Sequence, residues 1–153
     1  MGMPALSERR WTRAEVLALP DDGKHYELVD GELLVTTTPQ IQHQRVRQKF
    51  FLLVDDYVEY YQLGMVFAQP GDLSLDAGQV VHPDLFVIHR PPNVLTAEWE
   101  DVGIPLLVVE VLSPATARAD KIVKRRAYQR AGVATYWIVD VDSGLVEVWI
   151  PEA

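Results

Sequence analysis

"LLVVEVLSPATARADKIVKRRAYQRAG", residues 106–132, decides how this chain is read. From Pro105 to Leu112 the residues are almost all aliphatic, as expected of a central strand covered on both faces. Arg118 to Ala131 then carries helical spacing and stops at Gly132, a residue suited to the C-terminal cap. Glu110 interrupts the aliphatic run. An ionised carboxylate there is costly unless something neutralises it. It therefore lies at the strand end beside a basic partner, or it holds a metal.

Working outward, the spacing of Thr12 and Glu15 predicts a capping box and a short helix running to Leu19, before Pro20. "HYELVDGELLV" reads as two strands joined by Asp30-Gly31, a strong hairpin signal. Between Ile41 and Gln62, residues Val46, Phe50, Leu53, Val54, Tyr57 and Tyr61 recur at helical spacing, with Gly64 as the stop. "MVFAQ", "DLSLD" and "QVVHP" read as short strands, "DLFVIH" (Asp84 to His89) as a firmer one, and "RPPNVLTAEWEDVG" as a loop. Ser113-Pro114 marks a strand end or helix entry, and "ATYWIVDV" and "LVEVWI" pair across the turn Asp142-Ser143-Gly144. Helices and strands of this order around one sheet predict an α/β or α+β domain.

The chain has 153 residues, 48% of them hydrophobic and 24% charged, which predicts one domain over 1–153 with its own core. No apolar run is long enough to span a bilayer, and "MGMPALSERRW" lacks the apolar core of a signal peptide, so the expected location is the cytoplasm with no membrane partner. The absence of cysteine fits that compartment and leaves oxygen and imidazole as the available metal ligands. A net charge of −8 argues against indiscriminate adhesion to nucleic acid. However, Arg118, Lys121, Lys124, Arg125, Arg126 and Arg130 cluster in one segment and Arg45, Arg47 and Lys49 in another, so a local basic surface is compatible with an acidic whole.

Glu110 has an acidic companion in Asp84, which follows Pro83 at the start of another strand. Two carboxylates at neighbouring strand ends, with a basic helix immediately downstream, supply what a hard-cation site for phosphodiester hydrolysis requires: oxygen ligands for Mg²⁺ or Mn²⁺ and a positive group for the developing charge. The spacing of 26 residues alone is not diagnostic.

The segments "YELVDGEL", "HPDLFVI", "VVEVLSPAT", "DKIVKRRAYQRAGV" and "YWIVD" stand in an order that resembles the bacterial Uma2 family of restriction endonucleases, a branch of the PD-(D/E)XK nuclease superfamily. The resemblance runs from about Tyr26 to Asp140 and implies an α/β restriction-endonuclease-like core, a mixed central β-sheet flanked by helices. It makes Pro83-Asp84 the "PD" element and Glu110 the acid of "(D/E)XK", with the Val111 carbonyl as a further metal ligand. The chain departs from the superfamily where lysine should follow, because that position is Leu112. The resemblance places the lysine on the next helix instead, at Lys124, and adds Glu27 as a further acid of the catalytic set. It also implies a Mg²⁺-dependent or Mn²⁺-dependent endonuclease acting on DNA. Cleaving both strands of a duplex is simplest with two sites related by a two-fold axis, so a homodimer is expected, the exposed-looking residues of "YWIVDV" and "LVEVWI" being candidates for the contact. The alternative is a catalytically inert dimer, a nuclease fold kept as a binding or regulatory module. Several residues keep a second reading. Glu27 also suits a cross-strand partner, Asp84 a turn cap, and Lys124 a salt bridge. Lys121 competes for the lysine role, Tyr128 suits packing, and His43 matches a family histidine but also suits a structural group. Tyr136 and Trp137 suit the core or a subunit interface.

Overall fold

The computed structural model describes residues 9–36, 40–68, 73, 75, 78–112 and 118–151. In chain order the elements are α1 (Arg13–Leu17), β1 (His25–Val29), β2 (Glu32–Thr36), α2 (Ile41–Tyr60), β3 (Met65–Phe67), β4 (Leu85–Ile88), β5 (Leu107–Leu112), α3 (Arg118–Ala131), β6 (Thr135–Asp140) and β7 (Leu145–Trp149). The Thr12 hydroxyl accepts from the Glu15 amide and caps α1. Asp30 and Gly31, both at positive φ (51° and 82°), form the tight turn of the β1–β2 hairpin.

β3 to β7 form a five-stranded sheet in that order. β3–β4, β4–β5 and β6–β7 are antiparallel and β5–β6 is parallel. That parallel pair needs a crossover, which α3 provides. The core has two layers. Leu85, Val87, Val109, Val111 and Val139 face α2, packing with Val54 and Val58. Phe86, Ile88, Val108, Tyr136 and Ile138 face the other way, packing with Ala127 and Tyr128 of α3 and with Val29 and Leu34 of the hairpin. With both faces covered, alternation is lost and β5 reads as a continuous aliphatic run. The period of two still operates, so Glu110 points with Val108 toward α3.

The sequence reading differs from the structure in three places, and one part of it is not tested. Val80 and Val81 of "QVVHP" form isolated bridges, to Leu28 and Leu73, where a strand was expected. "DLSLD" lies largely outside the described residues, as do Ser113 and Pro114. The loop after β4 contains a single 3-10 turn, Trp99–Asp101. The apolar positions of α2 divide: Val46, Phe50 and Val54 pack inward, whereas Leu53, Tyr57 and Tyr61 are exposed. No helix among the described residues is long and apolar enough to cross a membrane.

Candidate active site

Strand register brings the two acids together. The β4–β5 ladder ends at the pair Leu85–Val109, so Asp84, just before β4, and Glu110, the next residue of β5, lie at the same end of the two strands. The Asp84 carboxylate accepts from the Val111 amide at 2.8 Å. His43, reaching in from α2, completes this half of the site. Its Nε2 donates to the Val111 carbonyl at 2.7 Å and lies 3.5 Å from Asp84 Oδ2. A carbonyl only accepts, which fixes the proton on Nε2. The His43 Nδ1 is buried without a hydrogen-bond partner among the described residues.

The other half is built on Glu110, Glu27, Lys124 and Tyr128. The hairpin carries Glu27 in because Leu28 and Val80 exchange backbone hydrogen bonds at 2.7 and 2.9 Å. Gln79 fastens the same contact, accepting from the Asp30 amide at 3.0 Å and donating to the Asp30 carboxylate at 2.8 Å. Glu27 then accepts from the His82 amide at 3.0 Å, two residues before Asp84. From α3, the Lys124 ammonium donates to Glu27 at 2.7 Å and to Glu110 at 3.3 Å. One turn later, Tyr128 is fully buried and its hydroxyl donates to Glu110 at 3.0 Å. Lys121, the rival lysine, pairs instead with Glu147 on β7 at 2.6 Å.

Glu27, Asp84 and Glu110 are each less than a tenth exposed, and the three acids outnumber the single ammonium among them. Burial, reinforced by the Asp84 and Glu27 charges and opposed by Lys124, raises the Glu110 carboxyl to about 8. Burial works the opposite way on Lys124, but the charges of Glu110 and Glu27 outweigh it and hold the ammonium above its ordinary value. The Asp84 hydrogen bond raises His43, more than burial lowers it. Burial, with the Glu110 charge, holds the Tyr128 hydroxyl in its protonated form.

This donor set fits a hard divalent cation. Carboxylate and carbonyl oxygens are its preferred ligands, the Val111 carbonyl keeps a lone pair beyond the one His43 uses, and a divalent ion would offset the surplus of acids over the one ammonium. Among the described residues, no three His, Asp or Glu side chains converge on one point as a ready cage. The fit therefore depends on the Val111 carbonyl beside the acids.

Asp84, Glu110, Val111, Lys124 and Glu27, all selected from sequence, lie in one cluster. His43 and Tyr128, for which sequence also allows structural roles, both touch it. Gln79 was not singled out at all; a lone glutamine in a turn segment carries no signal of a contact with Asp30, 49 residues away.

Acids at the ends of adjacent strands in a mixed sheet, with a lysine delivered by the crossover helix, define a restriction-endonuclease-like nuclease fold. The family model described as Uma2, "Putative restriction endonuclease", matches residues 13–153, and the chain belongs to that family. Among solved structures, one described as a putative nuclease belonging to DUF820, from Anabaena variabilis, shares the fold with a TM-score of 0.75 at 20% identity, covering 94% of this chain and 81% of that one. A search of curated proteins found no significant match.

Proposed function

We propose that the chain is an endonuclease that hydrolyses DNA phosphodiester bonds with Mg²⁺ or Mn²⁺ held by Asp84, Glu110 and the Val111 carbonyl. The observation that carries this reading is the buried cluster of three acids, Glu27, Asp84 and Glu110, which Lys124 touches through two of its members and His43 through the third, so that acids outnumber the cations in contact with them. When bound, the ion supplies Lewis acidity and neutralises charge on the phosphate. The protein's groups do the rest. Lys124 orients the attacking water and stabilises the charge that develops on the phosphate. Glu27 holds the ammonium in place. Tyr128 fixes the Glu110 carboxyl, and His43 fixes the Val111 carbonyl from behind.

Cutting both strands of a duplex is simplest with two sites related by a two-fold axis, so the working unit in this reading is a homodimer. One observation favours the inert alternative: Glu27 and Glu110 already engage two of the three Lys124 ammonium hydrogens, as a purely structural counter-ion would be engaged. Incubation of supercoiled plasmid with Mg²⁺ or Mn²⁺ separates the two readings. The nuclease nicks the plasmid and loses that activity in Asp84→Asn and Glu110→Gln. An intact plasmid under all ion conditions leaves the inert module.

A further inference from the structure

α2 buries one face against the sheet and leaves a second apolar face uncovered. Leu53 is 70% exposed and Tyr60 80%, with Leu52 and Tyr57 also more than half exposed. Four neighbouring large apolar side chains on one helix are more than the scattered exposure normal for a protein surface. Lys49, Leu53, Asp56 and Tyr60 follow one another at spacings of four, three and four, the seam that one helix presents to another.

The charges along this face have an order. Arg45 and Lys49 precede the leucines, and Asp56 and Glu59 follow them. Arg45 and Glu59 lie seven residues either side of Leu52, while Lys49 is three before Leu52 and Asp56 three after Leu53. All four are exposed, and none has an ion-pair partner among the described residues. The pattern is therefore self-complementary under a two-fold axis through the leucine pair. Antiparallel apposition of two copies sets Arg45 against Glu59 and Lys49 against Asp56. Parallel apposition sets like charges opposite each other.

We infer that a second copy of this chain covers this face, α2 packing antiparallel on α2 across a two-fold axis. The inference rests on the homodimer reading above and assigns its surface. Burial of the leucines and tyrosines drives association, and the charge order fixes direction and register. The surface differs from the strands suggested by sequence. β6 is interior to the sheet, with Tyr136, Ile138 and Val139 buried. The edge strand β7 does expose Leu145, Val146 and Val148, and it is the rival surface. α2 also carries His43 on its inward side, so this contact braces the helix that reaches Asp84 and Val111.

Light scattering and sedimentation velocity on the full chain test the assignment. The wild type is expected to be a dimer at high micromolar concentration. Leu53→Glu yields a monomer with an unchanged circular dichroism spectrum. Lys49→Glu weakens the dimer by about tenfold or more, and adding Asp56→Lys to it restores wild-type affinity, because each exchanged charge again meets its opposite. Val148→Glu on β7 leaves the dimer intact. Should Leu53→Glu fail to fold, the charge series decides alone. A wild-type monomer overturns both the homodimer reading and this surface. A dimer indifferent to Leu53→Glu and Lys49→Glu, or one dissociated by Val148→Glu, overturns the surface and leaves the homodimer standing.

Discussion

Lys124 is the residue on which the chemistry turns. Its side chain is largely buried, with Glu27 on one side and Glu110 on the other. Its removal therefore strands buried carboxylates as well as deleting a charge from the reaction, and breaking a buried pair costs roughly 3–5 kcal/mol. Lys124→Met is expected to melt at a lower temperature and to recover part of that loss with Mn²⁺. Lys124→Arg, which keeps the charge, is expected to fold normally yet nick plasmid about a hundredfold or more slowly, because guanidinium geometry does not reproduce the ammonium's position. Lys121→Met breaks only the peripheral pair with Glu147 and should nick nearly as well as wild type. Nicking by Lys124→Arg at the Lys121→Met rate removes the catalytic assignment.

Glu110 gives the residue scale its pH dependence. Its carboxyl is raised to about 8, above the ordinary 4.5, chiefly by burial. Between those two values the folded protein without metal holds a proton there that the unfolded chain has released. The stabilising linkage is thus complete at low pH and is lost as pH rises through about 8. A cation must displace the same proton. Mn²⁺ affinity is expected to climb by up to about tenfold per pH unit toward 8 and to level off above it. Calorimetric titrations at several pH values check this; a flat profile from pH 6 to 9 contradicts the buried, protonated Glu110.

At the scale of elements, close approach matters as much as pattern. After α2 the chain turns at Gly64 directly into β3, and a Cβ on Gly64 would lie 2.1 Å from the Ile88 carbonyl oxygen. Gly64→Ala must therefore move β3 away from β4, at a cost of about 2 kcal/mol or more. Thermal melting checks it, and an unchanged midpoint contradicts the observed packing of β3 on β4. Sequence revealed the elements whose signal is local: the aliphatic run of β5, the Asp30-Gly31 turn and the spacing of α3. It did not show which side of α2 faces the core, because Leu53 and Tyr57 look as apolar as Phe50 and Val54. The division becomes visible only when the sheet is in place. The same holds for contacts such as His43 with the Val111 carbonyl and Glu27 with the His82 amide, which join residues 68 and 55 positions apart. The displaced lysine was found through the family resemblance, since nothing in the spacing of Leu112 and Lys124 selects it.

For the whole molecule, the charge distribution unites these observations. A chain of net charge −8 concentrates three of its acids in one buried cluster and places only one ammonium among them. Such an arrangement is expensive without a cation, and in the proposed reading the cation is also what makes the cluster reactive. Calorimetric titration with Mn²⁺ of the wild type, Asp84→Asn and Glu110→Gln tests this most directly. The account predicts saturable binding at one site per chain in the wild type and its loss in both variants while they remain folded. Equal binding by all three proteins, or none by the wild type at millimolar Mn²⁺, contradicts it.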